Sequence, residues 1–186
     1  MRQAGMMLID RGQPNNALKI IQLGQVRLHG STHPGAPVVA SWLHVETALA
    51  QAKMGQVGEA RSALAAARDG YDPPTTHAQA DMDLVTALVW LELGQTDAAQ
   101  AAVARAVQTF GADRREGVVA DITLARLHVR AGEPRGLILA KTAIDGVAPL
   151  RSRLARQWLT LLAQDLETRP GSDAHDLARA ARQVAA

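Results

Sequence analysis

The chain contains no cysteine and few aromatic residues: Trp42, Tyr71, Trp90, Phe110 and Trp158 are the five in 186 positions. Without cysteine there can be no disulfide scaffold, thiolate zinc site or cysteine nucleophile, and the composition agrees with a reducing cytoplasm. An excess of one charge is also missing. Lys and Arg total 20 against 18 Asp and Glu, a net charge of +2, too weak a field to hold nucleic acid without a local patch. No apolar run approaches the roughly 18 residues of a membrane span, and the stretch opening at Met6-Met7-Leu8-Ile9 is too short for a signal peptide. A cytoplasmic protein without membrane contact is expected.

What remains is an ordinary folding composition, 47% hydrophobic and 20% charged. A chain of this length buries roughly 70% of its unfolded surface and needs no covalent staple, so one domain over residues 1–186 is expected. Alanine is abundant and strand-forming aromatics are scarce, which favours helix. Prolines punctuate: Pro34, Pro37, Pro73, Pro74, Pro149 and Pro170 fall in turn-like segments, while Pro14 and Pro134 fall where helices would begin. An all-α fold follows.

A repeat organises the chain. Four times an apolar helical pattern runs into a glycine and a polar residue, and a second helical pattern follows; the glycines are Gly12, Gly55, Gly94 and Gly132, stepping by 43, 39 and 38 residues. Glycine ends a helix cheaply in the left-handed conformation, and Pro or a polar residue opens the next. The pattern predicts helical hairpins near 2–29, 38–70, 76–110 and 116–146, with two C-terminal helices at 149–168 and 172–185 capping the end. The segment from Leu84 to Leu93 is apolar on nearly every side, as in a helix walled in by neighbours. Leu150, Leu154, Trp158, Leu161, Leu162 and Leu166 predict the buried stripe of the first capping helix, and Leu177, Ala181 and Val184 that of the second. A hairpin cannot bury its apolar face alone, so the expected architecture is an α-solenoid. The first hairpin opens without a polar capping helix, which leads to the expectation that the chain begins inside a longer architecture.

The glycine and alanine positions resemble the tetratricopeptide repeat (TPR): Ala48, Gly55, Ala60 and Ala67, then Ala87, Gly94, Ala99 and Ala106, then Ala125 with Gly132. Departures are the longer spacing, Gly24 for a late alanine, and His44, Gln51 and His128 where bulky apolar residues are usual. The run from Asp121 to Pro134, followed by Leu150-Arg151-Ser152-Arg153, is similar to the end of the TPR region in Xre-like helix-turn-helix regulators of high-GC Gram-positive bacteria. A bias of 17 Arg to 3 Lys agrees with such a genome. The resemblance implies a sensing or dimerising arm, with a separate N-terminal DNA-binding domain outside these residues and nucleic acid contacted only through it.

Catalytic chemistry finds no foothold. Phosphate-binding loops, His-Glu-x-x-His and Gly-x-Ser-x-Gly are absent from the sequence. His29 and His33 are four apart, but Gly30 and Pro34 make the segment a loop, so their rings are not aimed at one metal. Asp81 and Asp83 fall near an expected helix start and point to different faces, where the helix dipole explains them. Asp113 is a candidate N-cap. The expectation is therefore no enzyme, no metal and no cofactor.

In the TPR register, concave-surface positions are Trp42, Val45, Leu49 and Lys53, then Asp81, Leu84, Leu88 and Glu92, then Val119, Ile122, Arg126 and Arg130. Such a groove, apolar with charged edges, suits an amphipathic helix or extended peptide; the competing reading makes these residues plain core. Arg151, Arg153 and Arg156 open a helix whose far end carries Asp165 and Glu167, against the dipole, which marks a patch for an acidic partner. The sequence thus points to a protein- or peptide-interaction module, the arm of a transcriptional regulator and a candidate homodimer. The alternative is a generic TPR scaffold for complex assembly unrelated to transcription.

Overall fold

Four left-handed glycines divide the chain. Gly12, Gly55, Gly94 and Gly132 have φ values of 70° to 74°, where a residue with a Cβ is disfavoured by about 1–2 kcal/mol. Each ends its helix with the same two bonds. The glycine N–H donates to the carbonyl three residues back at 3.0–3.1 Å, and the next N–H donates to the carbonyl five back at 2.8–3.0 Å, the Schellman pattern that satisfies orphan carbonyls at a helix end.

The computed structural model describes the backbone of residues 2–69, 71–110 and 114–186, with side chains at 4–69, 71–110 and 117–186. Among these residues it is all-helical: α1 (Arg2–Asp10), α2 (Pro14–Leu28), α3 (Ala36–Lys53), α4 (Val57–Arg68), α5 (Thr76–Glu92), α6 (Thr96–Phe110), α7 (Arg114–Arg130), α8 (Arg135–Val147), α9 (Arg153–Glu167) and α10 (Ser172–Ala185). None of the helices, among the described residues, is long and apolar enough to cross a membrane. Pro14 opens α2 at its first turn. The N–H of Ala78 donates to Thr75 Oγ1 at 3.0 Å to cap α5, and that of Ala155 donates to Ser152 Oγ at 3.2 Å to cap α9. The candidate cap Asp113 lies outside the described residues.

The helices form two compact units, Met1–Gln95 and Thr96–Ala186. In the first, α3 is central and packs on α1, α2, α4 and α5. In the second, α7 takes that role against α6, α8 and α9, while α10 packs on α8 and α9. The fourth residue of α2, α4 and α6 is a fully buried alanine, Ala17, Ala60 and Ala99, where a longer side chain would have no space.

Three local expectations change. The first turn of α5 contains no acid, and Asp81 and Asp83 fall in its second and third turns, so the helix dipole does not account for them; Asp83 is buried and Asp81 exposed. α9 starts at Arg153, and Leu154, in its first turn, is 54% exposed. Its buried face is Ala155, Trp158, Leu159, Leu162, Ala163 and Leu166. The buried stripe of α10 is made of Ala174, Ala178 and Ala181, because the small side chains let α10 lie close to its neighbours while Leu177 and Val184 flank the seam half-buried.

Candidate functional site

The proposed groove residues divide by chemistry. Trp42, Val45, Leu49, Leu84, Leu88 and Ile122 are buried, none more than 6% exposed. They are core side chains in this structure and present no open surface; Val119 is half-buried. The charged positions pair off. Lys53 Nζ, at the end of α3, meets Glu92 Oε1, at the end of α5, at 3.2 Å. Both residues belong to the set picked from the sequence, and the fold uses them on each other.

Arg126 and Arg130 share a partner that the sequence did not mark. Arg126 Nε donates to Asp165 Oδ2 at 2.6 Å and Arg130 Nε to Asp165 Oδ1 at 2.9 Å. Arg126 and Asp165 are buried, while Arg130 is a third exposed at its side chain. The positions sit one helical turn apart on α7, so both guanidinium groups reach one carboxylate of α9. Nearby, His128 Nδ1 lies 2.7 Å from Glu133 Oε2, and Arg169 Nη1 donates to the Glu133 carbonyl at 2.8 Å. These contacts fasten the end of α9 to the α7–α8 turn, so they tie down the scaffold of the second unit and leave Arg126 unavailable to a ligand.

His128, His44 and Gln51 stand in three different settings. His128 is buried because Glu133 engages its ring. His44 is half-buried and lines two adjoining depressions of the first unit, one of about 490 Å³ with Gln25, Leu28 and His29, the other of about 660 Å³ with Glu59, Ser62 and Ala66. Together they run along α3, with α2 on one flank and α4 on the other. Gln51 Oε1 is buried without a hydrogen-bond partner among the described residues, and an unmet acceptor of this kind costs about 1–3 kcal/mol. Gln51→Met, close to it in length, is therefore expected to stabilise the first unit by about 1 kcal/mol, seen as a higher urea midpoint; an unchanged midpoint would mean that the carbonyl finds water.

Asp121 is half-buried on α7. Desolvation by burial raises its carboxyl above the ordinary 3.8. The folded chain then holds this proton more tightly than the unfolded chain, so stability falls as pH rises from 3.8 through the folded value and stays reduced above it. Asp121→Asn removes the penalty. The variant is expected to exceed the parent in stability at neutral pH and to converge with it below pH 3.8, which urea titrations at several pH values would read.

The third set lies in the second unit. Arg151, Arg153 and Arg156, with Gln157, Thr160, Ala185 and Ala186, line a recess of about 450 Å³ where α9 begins and α10 ends. Arg151 and Arg153 are exposed and Arg156 half-buried. Arg151 precedes the helix, and Ser152 caps it. The C-terminal end of α10 beside these arginines places a partial negative charge near them, so the charge order that opposes the dipole of α9 is offset by the dipole of its neighbour.

Among the described residues no group of three or more His, Asp or Glu side chains converges as a metal site. Comparison of the chain with protein-family models, with curated proteins and with solved structures finds no match.

Proposed function

We propose that the chain is a non-enzymatic protein- or peptide-interaction module, folded as a TPR-like α-solenoid and serving as the sensing or dimerising arm of a transcriptional regulator. The observation that supports this reading most is the fourfold turn. Gly12, Gly55, Gly94 and Gly132 repeat not only in sequence but bond for bond, the mark of a repeated helix-turn-helix unit. Repeat proteins of this kind act through extended surfaces.

Two surfaces of the first unit suit such contacts. The depressions along α3 around His44 offer a recessed strip for an extended peptide. On α2, Leu23 and Val26 are 60% and 73% exposed one turn apart, an apolar pair suited to a second subunit. A native mass spectrum of the purified chain tests the reading. A dimer that dissociates in Leu23→Glu/Val26→Glu supports the dimerising arm. A monomer carrying an extra mass, lost when Ala66→Trp fills the strip, supports the sensing arm. A bare monomer at every concentration overturns both.

A further inference from the structure

Five cations of the second unit are spent on its own carboxylates. Arg126 and Arg130 engage Asp165, Arg182 engages Glu167, Arg179 meets Asp176 and Lys141 meets Asp145. The guanidinium groups of Arg151, Arg153 and Arg156, like that of the solitary exposed Arg135, form no hydrogen bond or ion pair with any described residue. All three line the same recess, and no carboxylate side chain lines it with them. Exposed single arginines are common and need no partner. Three that line one recess concentrate positive charge there, and the dipoles of α9 and α10, meeting there with opposite ends, largely cancel. Against the three arginines stands the terminal carboxylate of Ala186, also in the lining, so the local charge is positive on balance.

We infer that this recess is a binding site for a phosphorylated small molecule. Three guanidinium forks offer more donors than one carboxylate can accept, whereas a phosphate monoester or diphosphate presents three or more peripheral oxygens in the geometry that arginine matches best. Gln157 and Thr160 add neutral hydrogen-bonding side chains to the wall, and the Ala185 methyl an apolar surface. The volume of about 450 Å³ falls within the range of small-molecule sites. A nucleic-acid backbone fits less well: it needs cations spread along a surface, but the neighbouring Arg179 and Arg182 are already paired, and the chain carries only +2 overall.

The site does not depend on the chain being a regulator arm, and its readout is separate from subunit number. Inorganic pyrophosphate titrated calorimetrically into the full chain is expected to bind one molecule per chain. Arg151→Gln and Arg156→Gln should each weaken it about tenfold or more, as loss of a charged hydrogen bond does, with helical circular dichroism unchanged. Arg156→Lys, which keeps the charge and loses the fork, should also weaken binding, and Arg61→Gln, on α4 of the first unit, should not. No binding at millimolar pyrophosphate overturns the site. So does equal weakening by Arg61→Gln, or wild-type binding in Arg156→Lys. Tighter, steeply salt-dependent binding of duplex DNA, lost in the same variants, would overturn the small-molecule assignment in favour of nucleic acid.

Discussion

Replacing Asp165 by alanine is expected to cost the second unit about 3–5 kcal/mol, the range for removing one partner of a buried pair. Arg126 cannot follow its lost partner into water, since only 3% of it is exposed, and an unpaired guanidinium in that position is the source of the cost. Arg130 contributes less. Its side chain is a third exposed, so solvent compensates for much of what it loses. Removing both members of the buried pair, as in Arg126→Met/Asp165→Leu, should recover most of the loss, because apolar residues of similar volume often replace buried ion pairs without penalty. Urea unfolding followed by hydrogen exchange separates the effect by unit: peptides from α7 and α9 should lose protection in Asp165→Ala while those from α3 keep it. A loss below about 1 kcal/mol, the value typical of an exposed pair, would mean that water reaches Arg126.

The same carboxylate shows where sequence reasoning stopped. Asp165 lies 39 residues from Arg126, and nothing local to either position announces the other. From the sequence it reads as a charge near the far end of a helix, and Arg126 and Arg130 as a charged rim. The glycine turns were legible because their cause is local: only the residue without a Cβ adopts φ near 70° cheaply. The apolar positions were half legible. Periodicity shows that Leu49, Leu88 and Ile122 belong to a face that leaves water, but it does not distinguish a groove awaiting a partner from a core already covered by this chain. The arginines at 151, 153 and 156 stood out as opposing the dipole of their own helix. That α10 ends beside them is a matter of tertiary placement, and it removes the electrostatic conflict while leaving three unpaired guanidinium groups in place.

Gly136→Ala sets helix propensity against packing, and packing is expected to win. On propensity alone, alanine in the first turn of α8 gains up to about 1 kcal/mol over glycine. A Cβ at Gly136, however, would stand 2.7 Å from Val129 N, 2.8 Å from His128 C and 2.9 Å from His128 O. All three are backbone atoms in the last turn of α7, so no side chain can swing aside, and α8 must lift away. The movement strains a small network. His128 O accepts the Glu133 N–H at 3.0 Å, which closes the Schellman turn, and Glu133 in turn holds the His128 ring at 2.7 Å and accepts Arg169 Nη1 at 2.8 Å. Overpacking of this kind costs typically about 1–3 kcal/mol, and contact with rigid backbone places the expected net loss near 2 kcal/mol. Gly146, in the last turn of the same helix, is the control. Its nearest atom would be Val118 Cγ2 at 3.4 Å, an ordinary contact, so Gly146→Ala should be neutral or stabilising by up to about 1 kcal/mol. Urea midpoints of the two variants should therefore move apart, and hydrogen exchange in Gly136→Ala should rise at the start of α8 and around Arg169 together. If the two alanine variants were equally stable, α8 would not approach α7 as closely as the backbone distances require.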